Sequence, residues 1–202
     1  MRIARIIGIA ALLCIQGCSF FYTQPKQNYF SLVAPRNSQA SPSPNGAALS
    51  IDSIQINPVY ENQGFTYRLE GGRTQLDYYH LFQTAPEANI TEQLKIWLRK
   101  GGHFRSVSGY NQSQTSDYIL SGTIETLYGD YSLPGKPVAV ISMRVYVRKN
   151  NDTSSAERTL MGYYEKRIPV SNNSPEGLVS AWDKGLASIF GEIENAVTST
   201  IH

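Results

Sequence analysis

The chain has 202 residues, enough for one ordinary domain with an added leader. Its 18 basic residues become 16 if the leader carrying Arg2 and Arg5 is removed, against 16 acidic ones. That balance leaves no basic field to attract nucleic acid. Cysteine occurs only at positions 14 and 18, so neither a disulfide framework nor a thiolate metal site is expected in the body of the chain.

Residues 1–17 run from a basic start (Arg2, Arg5) through an apolar middle to small Gly17, the order of a secretory signal peptide. The apolar stretch 6–15 is too short to span a bilayer, which needs about 20 residues. Cys18 follows at once, and Ile15-Gln16-Gly17-Cys18 resembles the lipobox of bacterial lipoproteins. The resemblance implies cleavage before Cys18, a diacylglycerol thioether on its sulfur and an acyl group on its new amino terminus. Each buried methylene contributes about 0.8 kcal/mol, so three chains would make the anchor essentially permanent. Ser19 stands where an Asp would resemble an inner-membrane retention signal, and the implied address is the outer membrane, on its periplasmic face.

Residues 18–28 read as a lipidated tether, and 29–202 as a single domain. Residues 29–33 read as a first strand. Residues 34–47 form a Pro/Ser-rich loop without apolar periodicity. A strand at 49–56 ends at Pro58. Residues 65–69 and 74–79 flank Gly71-Gly72 as a hairpin. A helix over 88–99 or 100 follows from Ile90, Leu94, Trp97 and Leu98 on one face, with Asn89 as N-cap, Glu92 completing a capping box, and Gly101-Gly102 as the stop. Strands are expected at 104–107, 117–131, 138–148 and 159–168, with a polar turn at 149–156. Ser174-Pro175-Glu176 opens a last helix, whose apolar stripe includes Leu178, Ala181, Trp182, Leu186, Ile189, Phe190, Ile193 and Val197. Short turns between successive strands imply a mostly antiparallel sheet. Two amphipathic helices would cover one of its faces, giving an α+β two-layer sandwich.

This order of elements resembles a known family. The resemblance is carried by the lipobox, Tyr29-Phe30-Ser31-Leu32, Phe65-Thr66-Tyr67-Arg68, and the helix ending in Gly102-His103-Phe104-Arg105-Ser106-Val107. Ser116-Asp117-Tyr118-Ile119-Leu120-Ser121-Gly122-Thr123-Ile124 and the Ala181-Trp182 helix complete it. Together they are similar to the ABC-type transport auxiliary lipoproteins, the PqiC/YmbA-like group. That resemblance implies an outer-membrane lipoprotein that docks a trans-envelope mammalian-cell-entry (MCE) domain protein, within a system that moves lipids between membranes. It implies a docking role rather than catalysis, no cofactor beyond the covalent lipid on Cys18, and a homo-oligomer matched to an oligomeric partner.

Chemistry in the sequence is sparse. No Gly-x-Ser-x-Gly elbow and no Gly-Lys-Ser/Thr phosphate cradle occur. His80, His103 and His202 lack metal-ligand spacing. Asp77 with His80 is the one pair that suggests acid–base work, and exposed polar residues after a strand are its plainer reading. Glu192 and Glu194, at i and i+2, read as the solvated side of the last helix. Of 13 tyrosines, Tyr60, Tyr67, Tyr78 and Tyr79 cluster around the hairpin and are the expected partner-binding residues. Trp97 and Trp182 lie on apolar stripes and are expected in the core. The alternative role is a structural lipoprotein of a secretion or outer-membrane biogenesis machine. A periplasmic enzyme built on Asp77 and His80 is the third reading.

Overall fold

The computed structural model describes residues 26–36, 40, 43, 46–150 and 159–201. The expected leader, Cys18, all of the tether before Lys26, much of the 34–47 loop, most of the 149–156 turn and His202 lie outside the described residues. The strands are β1 (Asn28–Phe30), β2 (Ala48–Ile51), β3 (Gln55–Ile56), β4 (Gly64–Leu69), β5 (Thr74–Phe82), β6 (Ser106–Gly109), β7 (Tyr118–Tyr131), β8 (Val138–Lys149) and β9 (Thr159–Pro169). The helices are α1 (Pro86–Gly101) and α2 (Pro175–Thr200).

β7 organises the sheet. One of its edges pairs with β8 along nearly its whole length. The other is shared in turn by β2, β3 and β4, all parallel to it. β5 and then β1 extend the sheet beyond β4, and β6 extends it beyond β2. The α+β architecture is as expected, and strands adjacent in sequence pair antiparallel at β4–β5, β7–β8 and β8–β9. The sheet is nevertheless mixed, because β1–β5 and β2–β6 are parallel as well. Those partners are far apart in sequence, and parallel pairing requires such long crossovers.

Alternation along β8 separates two environments. Ala139, Ile141, Met143 and Val145 join the core with Trp182, Leu186, Ile189 and Phe190 of α2 and Ile90, Leu94 and Leu98 of α1. On the other parity Ser142 bonds Thr126 (2.7 Å) and Arg144 pairs with Glu125 (2.5 Å). Trp182 is fully buried; its indole N–H donates to the Val140 carbonyl (3.2 Å), and its ring meets Phe65 edge-on. Trp97 is only half-buried, against Phe190.

α2 begins as its sequence dictates, with the Ser174 hydroxyl accepting from the Gly177 N–H (3.1 Å) and Pro175 at the first helical position. α1 corrects the expected capping box. It starts at Pro86, Ala85 makes no side-chain cap, and Glu92 pairs with Lys95 instead. Proline at the first turn sets the start, because its fixed φ suits that position and its missing N–H is no loss there. Gly102 stops α1 in the left-handed region, at φ 73°.

The first strand is shorter than expected, and the chain after it becomes an arm. Leu32 turns into the core. The Val33 N–H then donates to Asp183 on α2 (2.8 Å) and the Ala34 N–H to Gln93 on α1 (3.3 Å). Arg36 pairs with Glu194 (2.6 Å) and lies over the Trp97 ring (4.8 Å), and the Ala40 N–H reaches the Lys100 carbonyl (2.9 Å). The arm thus touches both helices along its course. Glu194 is therefore buried and not on a solvated side, while Glu192 pairs with Lys166 near the surface.

Candidate functional site

The hairpin β4–β5 turns on Gly71 and Gly72, both at positive φ (73° and 78°), which only glycine adopts without strain. Beyond the turn the two strands lose step. Between the pairs Thr66–Leu76 and Gly64–Leu81, β4 advances two residues while β5 advances five. Residues 77–80 bulge outward in consequence, and the Asp77 carbonyl packs where Gly64 would carry a Cβ.

Asp77 holds this bulge together. Its Oδ1 accepts from the backbone N–H groups of Tyr79 (2.7 Å) and His80 (3.1 Å). Its Oδ2 contacts His80 Nδ1 (2.7 Å) and accepts from the Tyr67 hydroxyl (3.1 Å). Burial works to raise the Asp77 carboxyl, but the bonds from His80, the two backbone groups and Tyr67 outweigh it and hold the group below the usual carboxylate range. Burial, and then the Asp77 charge, push the Tyr67 hydroxyl upward, so it stays protonated as a donor. The His80 ring lies against Phe30 and Phe65. The Asp77–His80 pair therefore sits inside a strand rather than after one. Both carboxylate oxygens are occupied by the bulge's own donors, so the pair serves as a clasp. Among the described residues no three His, Cys, Asp or Glu side chains converge as a metal site would require.

The four hairpin tyrosines divide into two pairs. Tyr60 is half-buried and stacks on Tyr128 (6.1 Å, 13°), with its hydroxyl raised first by burial and then by Tyr128. Tyr67 is half-buried and meets Tyr131 edge-on (5.3 Å, 89°). These two share the wall of a pocket of about 160 Å³ with Thr66, Arg68, Thr74, Thr126 and Tyr128. Tyr78 and Tyr79, at the crest of the bulge, are 69% and 47% exposed. Tyr29 on β1, 57% exposed, belongs beside them. Sequence reasoning passed it over because it read as a strand residue. Its signal was its place directly after the tether.

Two further features were not legible in the sequence. Burial pushes the Asp183 carboxyl up to about 6, against the opposing pull of the Val33 N–H. Glu194 gathers Arg36 and the Trp97 indole N–H (3.1 Å) on one oxygen, while its other oxygen lies against Gly101 and 3.8 Å from His103 Nε2.

These residues are set on a mixed sheet covered by two helices, with the arm after β1 laid across both helices. The family model described as ABC-type transport auxiliary lipoprotein component matches residues 30–194, and the chain belongs to that family. Membership places it among membrane-anchored envelope proteins that assist a transporter. Protein XCC0632 from Xanthomonas campestris, assigned to the family model DUF330, is similar in structure. Its TM-score is 0.66 at 13% identity, over 85% of this chain and 96% of that one. A second structure, titled an uncharacterized protein, gives 0.64 at 14% identity over 85% and 99%. At those identities the likeness shows the fold alone. A comparison with curated proteins found no significant match.

Proposed function

We propose that this chain is the outer-membrane docking component of an ABC-type intermembrane lipid transport system, facing the periplasm and lipidated on Cys18. Its transporter partner would be an MCE-domain protein that bridges the envelope. The observation that carries the reading is the family match across residues 30–194, joined to a lipobox-like Ile15-Gln16-Gly17-Cys18 upstream of it. The geometry agrees with a binding role, since the Asp77–His80 pair is occupied within the bulge while Tyr78 and Tyr79 project from it. Of the four tyrosines expected to bind the partner, Tyr60 and Tyr67 line a pocket beside the hairpin and are the two this reading gives to the MCE protein, whereas Tyr78 and Tyr79 stand exposed at the crest of the bulge. No cofactor other than the covalent lipid is part of this reading, and no catalysis.

A homo-oligomer belongs to the same proposal. Among the described residues β9 (Thr159–Pro169) pairs only with β8, which leaves one edge of an 11-residue strand open to another strand. The test is co-elution of the mature protein with an MCE-domain protein of the same organism, with the mass of each species measured by light scattering. A stable complex is expected, and no association with both proteins at high concentration overturns the reading.

A further inference from the structure

Three exposed tyrosines belong to one edge of the sheet and are tied to one another there. Gln27 is the link: its Nε2 donates to the Tyr78 carbonyl (3.1 Å), and its Oε1 accepts from the Tyr29 hydroxyl (2.9 Å). Tyr78 and Tyr79 rise from the bulge that Asp77 clasps, beside β1. Their exposure of 47–69% has no counterpart in a packing role.

We propose that this edge, Tyr29, Tyr78 and Tyr79 with Lys26, seats on the lipid surface to which the chain is anchored. The three rings would enter the headgroup layer. The inference rests on the reading of Cys18 as the lipidated residue.

Position is the first argument. β1 is the strand nearest the anchor: Cys18 stands ten residues before Asn28, and ten residues extend to roughly 35 Å at most. The chain after β1 cannot lengthen that leash, because the arm is fixed to Asp183, Gln93 and Glu194. The opposite end of the strand path, β6 and the turn bearing Tyr110, is the far edge of the sheet.

Chemistry is the second. Tyrosine joins an apolar ring to a polar hydroxyl and is enriched where lipid meets water. Across residues 26–30 and 78–79 the one charged side chain is Lys26, whose sign suits anionic headgroups. Asp77, the carboxylate next to Tyr78 in the chain, is turned inward and bonded by the bulge's own donors. The clasp also holds the crest in shape, so less conformational freedom is lost when its rings are immobilised.

The test uses the mature lipidated protein in vesicles of phosphatidylethanolamine and phosphatidylglycerol. With Cys18 acylated and Cys14 removed in the leader, Tyr79→Cys or Tyr110→Cys supplies the one free thiol for a polarity-sensitive dye. The dye at 79 should shift to the blue and lose most of its emission to a nitroxide carried on lipid headgroups. The dye at 110 should do neither. Adding Tyr29→Ser and Tyr78→Ser should return the dye at 79 to the aqueous spectrum while the protein still floats with the vesicles. Protein that floats with the dye at 79 in water overturns the proposal alone. So does a dye at 79 that becomes shielded only when the MCE protein is added, which would assign the edge to a protein partner. Protein that fails to float overturns the anchored reading and this proposal with it.

Discussion

Replacing Asp183 by Asn should stabilise the protein at neutral pH and leave it unchanged in acid. The Asp183 carboxyl lies half-buried on α2 and accepts the Val33 N–H at 2.8 Å. Burial raises it from 3.8 to about 6 despite that bond. A carboxyl raised in the folded state binds its proton more tightly there than in the unfolded chain. Its favourable contribution is therefore complete below about pH 4 and is lost as pH rises through about 6. The gap between 3.8 and about 6 corresponds to roughly 3 kcal/mol at about 1.4 kcal/mol per pH unit. The group is partly solvated, which reduces the expected effect to ~1–2 kcal/mol. Asparagine keeps an oxygen for the Val33 N–H and removes the charge. Asp183→Asn should thus exceed the wild type by that amount near pH 7.5 and match it near pH 4, a shift of about 2–4 °C in Tm per kcal/mol for a chain this size. Denaturation of both proteins across this range measures the difference directly, and subtraction removes the opposite trends of Asp77 and Asp130, both lowered in the fold. A constant offset between the two proteins at every pH, or an Asn variant weaker at neutral pH, would refute the reasoning.

Two further perturbations test the arm and the core. Arg36→Met leaves the buried Glu194 without its closest cation and should cost about 3 kcal/mol, much of it restored when Glu194→Gln is added, with Glu194→Gln alone closing the cycle. Urea titration of the single and double variants reads the coupling, and strict additivity would show that the pair does not act as a unit. Trp182→Ala removes a fully buried ring together with its bond to the Val140 carbonyl, so a loss of about 3–5 kcal/mol is expected in the same assay. A loss below about 1 kcal/mol would mean that the core closes over the gap.

Secondary structure was readable wherever a local rule dictates it. The Gly71-Gly72 turn, the Ser174-Pro175 start of α2 and the alternation of β8 are such cases, since each depends on neighbours within a few residues. The start of α1 was misread because Asn89 and Glu92 fit a cap pattern, yet Pro86 three residues earlier already opens the helix. Glu194 was read as solvated because its charge outweighed its place beside Ile193 on the stripe. Its burial depends on Arg36, which comes from a segment that carries no periodic signal. The Asp77–His80 pair was noticed, but its meaning changed once β5 proved to bulge between Leu76 and Leu81.

The sequence by itself determined the elements, the α+β class and the family resemblance, because hydrophobic period, caps and turns act over short range. Which strands lie beside β7, and that three of them run parallel to it, was decided only by the tertiary structure. So was the path of the arm across both helices, and so was the separation of Tyr78 and Tyr79, turned outward, from Tyr60 and Tyr67, turned inward. Each of these depends on contacts between residues dozens of positions apart, and a slip of one residue in register would turn the strand's side chains to the other face.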